Sequence, residues 1–145
     1  MNYPIPHRPR RNRVNAGIRA LVRENQLSVD DLIWPCFVVD GYQQRIAIDS
    51  MPGCFRLSLD ELIIEVREAV KLGIKAIALF PALPDDIKDS VASESKNPKG
   101  LLPKVIRSLK KNFPDLVLIG DVAMDPYSSD GHDGLVENGE ILNDE

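Results

Sequence analysis

Apolar residues in this chain alternate between short unbroken runs and stretches with a period near 3.6, which predicts buried strands alternating with amphipathic helices. The run Leu32 to Val39 ends at Asp40-Gly41, so it predicts a buried strand followed by a turn. Pro35 interrupts that run and predicts that the strand proper starts near Cys36. Residues 41–56 read as loop, with a short Ile46–Ile48 segment and a Pro52-Gly53 turn. Ser58 and Glu61 have the spacing of a capping box, and Leu57 with Leu62 that of a hydrophobic staple. Leu62, Ile63, Val66, Ala69 and Val70 then form one helix face, and Gly73 stands where a left-handed C-terminal cap is expected. Ile74 to Phe80 is a second buried strand, closed by Pro81. Residues 82–100 hold Pro84, Pro98 and Gly100 and form a long loop, a kind of segment that tends to be functional. Leu101 to Asn112 returns to helical spacing, with Leu102, Val105, Ile106 and Leu109 inward and Pro103 confined to the first turn. Leu116 to Val122 is a third buried strand, and Asn138-Gly139 predicts a hairpin turn.

The order strand–helix–strand–helix–strand implies an α/β fold, with a parallel sheet covered on both faces. Three strands do not close a barrel, and nothing protects the edge of the third. The chain is therefore a small open sheet or the opening portion of something larger. Ahead of it, residues 1–14 read as extended. Asn15 can cap a short helix carrying Ile18, Leu21 and Val22, and Ser28 to Asp31 reads as a turn or a further cap. This divides the chain into an arm over 1–30 and an α/β portion over 31–145.

Charge sharpens that division. The net charge is −4, yet six of the 18 basic residues (Arg8, Arg10, Arg11, Arg13, Arg19 and Arg23) precede the first acidic one, Glu24. Nucleic-acid binding would need stacking aromatics, and the arm offers only Tyr3. Two readings stay open: a solvated tail, or an arm that docks on an acidic surface of its own body or of a second copy. Prolines at 4, 6 and 9 stiffen it and lower the entropy lost on docking. The chain has no apolar run long enough to span a bilayer and no signal-peptide core. Cys36 and Cys54 are expected as buried free thiols of a cytoplasmic protein.

The candidate chemistry lies in Asp121 to Gly134, directly after the third strand. Ligands of parallel α/β folds bind at the C-terminal ends of strands. Asp121, Asp125, Asp130 and Asp133 brought together would have to share protons, meet cations or bind a hard ion such as magnesium. The plainer alternative is a polar loop whose aspartates cap turns. The spacing is not that of an EF-hand. A receiver-like binding module would need an acidic pair at the end of the first strand, where only Asp40 stands, so a non-catalytic binding or oligomerisation module is the weaker reading.

The run Asp121-Val122-Ala123-Met124-Asp125-Pro126-Tyr127-Ser128-Ser129-Asp130-Gly131-His132-Asp133-Gly134, with Ile141 to Glu145 after it, resembles the metal-loop signature of the porphobilinogen synthase (5-aminolevulinate dehydratase) family. His7 to Arg11, Ser50 to Gly53 and Leu79 to Pro81 are similar to further segments of that family, so the resemblance covers nearly the whole chain. It implies the first three strands of a (β/α)8 barrel, behind an arm that wraps a neighbouring subunit, in an octamer. It also implies condensation of two 5-aminolevulinate molecules to porphobilinogen in tetrapyrrole synthesis. The lysines that form Schiff bases in the family match nothing in this chain, which is expected to be inactive alone. The zinc-dependent members carry three cysteines where this chain has Ala123, Asp125 and Asp133, so the resemblance implies no zinc and a magnesium or monovalent ion near Asp125 and Asp133. By the same resemblance Asp121 and Asp133 assist proton transfer and Phe80 lines the substrate pocket. Asp130 departs from the histidine common in the family, and His132 matches it.

Overall fold

The computed structural model describes residues 10–142. Its centre is a five-stranded sheet in the order β2-β3-β1-β4-β5. The strands are β1 (Ile33–Val38), β2 (Arg45–Ala47), β3 (Phe55–Leu57), β4 (Ala76–Pro81) and β5 (Val117–Gly120). β3, β1, β4 and β5 run parallel, and β2 joins β3 antiparallel. The expected loop over 41–56 thus contains a hairpin that adds two strands. Each has only three residues, too few for a period-2 pattern to stand out.

β1 begins at Ile33, three residues ahead of the expected start near Cys36, and includes Pro35. The amide of Val39 donates to the carbonyl of Leu57, so odd-numbered residues of β1 direct their N–H toward β3. Pro35 lies on that side, before the β3 ladder starts at Phe37. Its missing N–H therefore removes no ladder bond, which is the condition under which a strand accepts proline.

Helices α2 (Leu59–Lys71) and α3 (Leu101–Asn112) pack on one face of the sheet. Leu62, Val66, Val105 and Leu109 are fully buried there against Val38, Ile77 and Leu79. The other face has no helix among the described residues, contrary to the expected two-sided cover. Ile33, Val117 and Ile119 stand exposed on it, beside half-buried Phe37, Ala78 and Phe80. The rings of Phe37 and Phe80, opposite each other in register, have centroids 5.7 Å apart. A face this apolar and this open is what a barrel strand presents to its lumen.

The expected capping box at α2 does not form. Ser58 Oγ accepts from the amide of Gln44 (2.9 Å) and bonds Asp60 Oδ1 (2.5 Å), while Glu61 lies 3.9 Å from Arg45. The buried hydroxyl is taken by the preceding segment and so ties the β2–β3 hairpin to the helix. At the other end the forecast holds. Gly73 has φ +97°, its amide reaches Val70 O, and Ile74 N reaches Ala69 O, which is a Schellman cap. Val70 is 40% exposed rather than part of the core.

The arm differs from its expected form at Arg11–Arg13, a single 3-10 turn; residues 1–9 lie outside the described residues. Asn15 caps α1 (Ala16–Leu21) through a 2.9 Å bond from Ile18 N. Ser28 and Asp31 form a reciprocal capping box, and the Asp30–Lys75 ion pair fastens this turn to the sheet. β6 (Leu135–Glu137) and β7 (Glu140–Leu142) form the expected hairpin, with Asn138 and Gly139 both at positive φ.

Candidate active site

β1, β4 and β5 run in the same direction, so their C-terminal ends, Val38, Pro81 and Gly120, share one rim of the sheet. Val117 and Ile119 face the open side, and the next position in that alternation, one residue beyond the strand, is Asp121. Phe80 occupies the same face at the end of β4. The structure thus places Asp121 and Phe80 at the rim of the uncovered face.

A compact acidic turn follows. The amides of Tyr127 and Ser128 both donate to Met124 O at 2.9 Å. Asp133 closes this turn from outside, its Oδ1 accepting from Met124 N (2.6 Å) and Asp125 N (3.1 Å). These two amides hold the Asp133 carboxyl below its ordinary pKa, and the neighbouring His132 adds to the effect. Asp121, Asp125, Asp130, His132 and Asp133 are all exposed, whereas Tyr127 and Ser128 are buried under the turn. Desolvation, with Glu94 nearby, pushes the Tyr127 hydroxyl up.

The structure therefore brings Asp125 and Asp133 together and sets Asp121 at the strand end before them. The Asp125 carboxylate has no hydrogen-bond or ion-pair partner among the described residues. Asp130 contributes only its amide, which donates to Ser128 Oγ at 3.2 Å.

The lysines take other tasks. Lys75, Lys88 and Lys104 pair with Asp30, Asp85 and Asp40, and Lys110 caps the Pro114 and Leu116 carbonyls. Sequence reasoning did not find Arg56. It is half-buried, in register with Phe37, and lines an open cleft of about 510 Å³ with Ile46, Pro81, Lys88 and Pro126. Its only signal in the sequence was a cation amid apolar neighbours in a segment read as loop.

A family model described as delta-aminolevulinic acid dehydratase matches residues 6–145. The chain belongs to the delta-aminolevulinic acid dehydratase family. It is 50% identical over 138 residues to the dehydratase of Bradyrhizobium diazoefficiens, matching 95% of this chain and 39% of that protein. It is 50% identical over 141 residues to the Chlamydia pneumoniae dehydratase, matching 97% of this chain and 42% of that one. The crystal structure of the Toxoplasma gondii ME49 dehydratase (porphobilinogen synthase), in complex with the reaction product porphobilinogen, superimposes with a TM-score of 0.90 at 52% identity. That superposition covers 97% of this chain and 40% of that one. The chain thus spans about two-fifths of the length of these dehydratases, and its parallel strands are part of their barrel.

Within the family, the donor set around Asp125 suits a hard cation. Asp125 and Asp133 bring two carboxylates and no thiolate, donors that would suit magnesium, which commonly takes one or two carboxylates and fills its remaining positions with water. Among the described residues no three carboxylate, imidazole or thiol groups converge.

Proposed function

We propose that this chain contributes the acidic side of a porphobilinogen synthase active site, in which two 5-aminolevulinate molecules condense and two waters are lost. The observation that carries this reading is the position of Asp121, one residue beyond β5, on the face that also presents Phe80. There a carboxylate meets a substrate entering at the C-terminal rim of the barrel. Asp121 would accept and return protons as carbon–nitrogen and carbon–carbon bonds form, and Phe80 would shield the pocket from water. Asp133, engaged through Oδ1 by two amides, would keep the turn in shape and assist proton transfer beside Asp121. Asp125 and Asp133 would hold magnesium, with no zinc, and the ion would offset their negative charge. The Schiff-base lysines would come from strands outside these residues, so residues 1–145 alone would be inactive. The basic arm would dock on a second copy in a homo-oligomer, an octamer by analogy, without nucleic acid or membrane. Free Cys36 and Cys54 accord with a cytoplasmic setting. Six plant relatives are named chloroplastic, and no helix among the described residues is long and apolar enough to cross a membrane.

The test is a chimera joining residues 1–145 to the remaining strands of the Bradyrhizobium diazoefficiens relative. It should form porphobilinogen, and Asp121→Asn should slow it by about 10²-fold or more, the usual share of a positioned acid–base group. A folded chimera with no activity, or one indifferent to Asp121→Asn, would overturn the proposal. With residues 1–145 alone, borohydride should trap no 5-aminolevulinate adduct.

A further inference from the structure

The acidic turn is held from two sides, and only one hold lies within its own segment. From one side Asp133 grips the amides of Met124 and Asp125. From the other comes Asp89, 39 residues ahead of Ser128 in the long 82–100 loop. The main chains of Asp89 and Ser128 form a parallel bridge, and Ser129 N donates to Asp89 O at 3.0 Å. That carbonyl is fixed in place by the side chain of the same residue. Asp89 Oδ1 accepts from Val91 N (3.1 Å) and Ser93 N (2.9 Å), and Ala92 N returns to Asp89 O (3.2 Å). The turn so made is tight enough to force Ala92 to φ +50°, although it carries a Cβ and is 3% exposed. A non-glycine residue keeps that conformation only where its surroundings dictate it. Amide donors also lower the Asp89 carboxyl pKa, so the carboxylate stays a full-strength acceptor at neutral pH. Glu94, held by Asn97 Nδ2 at 3.0 Å, lies where a Cβ on Gly100 would meet its Oε1 at 2.7 Å.

We propose that Asp89 is a positioning residue for the acidic site: through its capped turn it fixes the Ser128–Ser129 end of the segment whose other end Asp133 holds, so that the main chain carrying Asp125 between them keeps one conformation. This rests on the proposed role of the acidic turn, and it extends that role to a loop that carries no candidate chemistry of its own.

Amide hydrogen exchange on the 145-residue chain tests it, with Asp89→Ala and Asp89→Asn compared. Asp89→Ala should speed exchange at Met124, Asp125 and Ser129 by about tenfold or more and leave Ile77 and Leu79, in the core strand, unchanged. Asp89→Asn keeps an oxygen acceptor in the same place and should restore rates to within a few-fold of the parent. Unchanged rates at Met124 and Asp125 in Asp89→Ala would overturn the proposal. A uniform acceleration that included Ile77 and Leu79 would also overturn it, since Asp89 would then serve the whole sheet. So would an Asp89→Asn variant no better than Asp89→Ala. No substrate enters these measurements, so a silent chimera would sink the functional reading without touching them.

Discussion

Asp133 Oδ1 lies 2.6 Å from the amide of Met124, nine residues earlier, and the bond ties the exit of the acidic turn to its entrance. A second bond, from Asp125 N, puts two donors on one carboxylate oxygen.

That arrangement makes the turn sensitive to acid. The folded-state pKa of Asp133 is depressed below the 3.8 of a free side chain, so its contribution is complete above that value and is lost as pH falls through the lower folded one. Amide exchange at Met124 should therefore be pH-independent, after correction for intrinsic rates, from neutrality to about pH 4, and should rise below it. Asp133→Asn should abolish that acid dependence; if the rise persists unchanged, another group is titrating.

The one-sided cover of the sheet predicts unequal costs for truncation. Leu109→Ala empties a fully buried site under α3 and should cost about 2–5 kcal/mol in urea unfolding. Ile119→Ala, on the open face and 40% exposed, should stay within about 0.5 kcal/mol. Equal losses would mean that the open face is packed in solution.

The two thiols should react very differently. Cys36 is 3% exposed, and burial, with Glu65 close by, pushes its thiol up to about 12. Cys54 is only half-buried. A thiol reagent at pH 8 should label Cys54 in the native chain and Cys36 only after unfolding. Labelling of both at one rate would contradict the core packing of β1.

Elements that bury long apolar stretches were legible in advance. α3 spans the predicted residues because Leu101, Val105 and Leu109 repeat at helical spacing over three turns. The Gly73 cap and the Asn138-Gly139 hairpin were legible because positive φ selects so few residue types. The β2–β3 hairpin was not, since its pairing with β1 depends on contacts that no local pattern carries. Ser58 misled for a related reason: its hydroxyl suits a capping box, but Gln44, distant in sequence, claimed it first.

The candidate site divides along the same line. Sequence alone determined the acidic segment, its place after the last strand of the parallel sheet and the family it belongs to, because these depend on residue identity and order. Only the tertiary structure decided that Asp133 is engaged by backbone amides while Asp125 has no partner among the described residues, and that Asp89 reaches the turn from another loop. Hydrogen bonds between segments tens of residues apart require a fixed relative position, and the packed sheet supplies it.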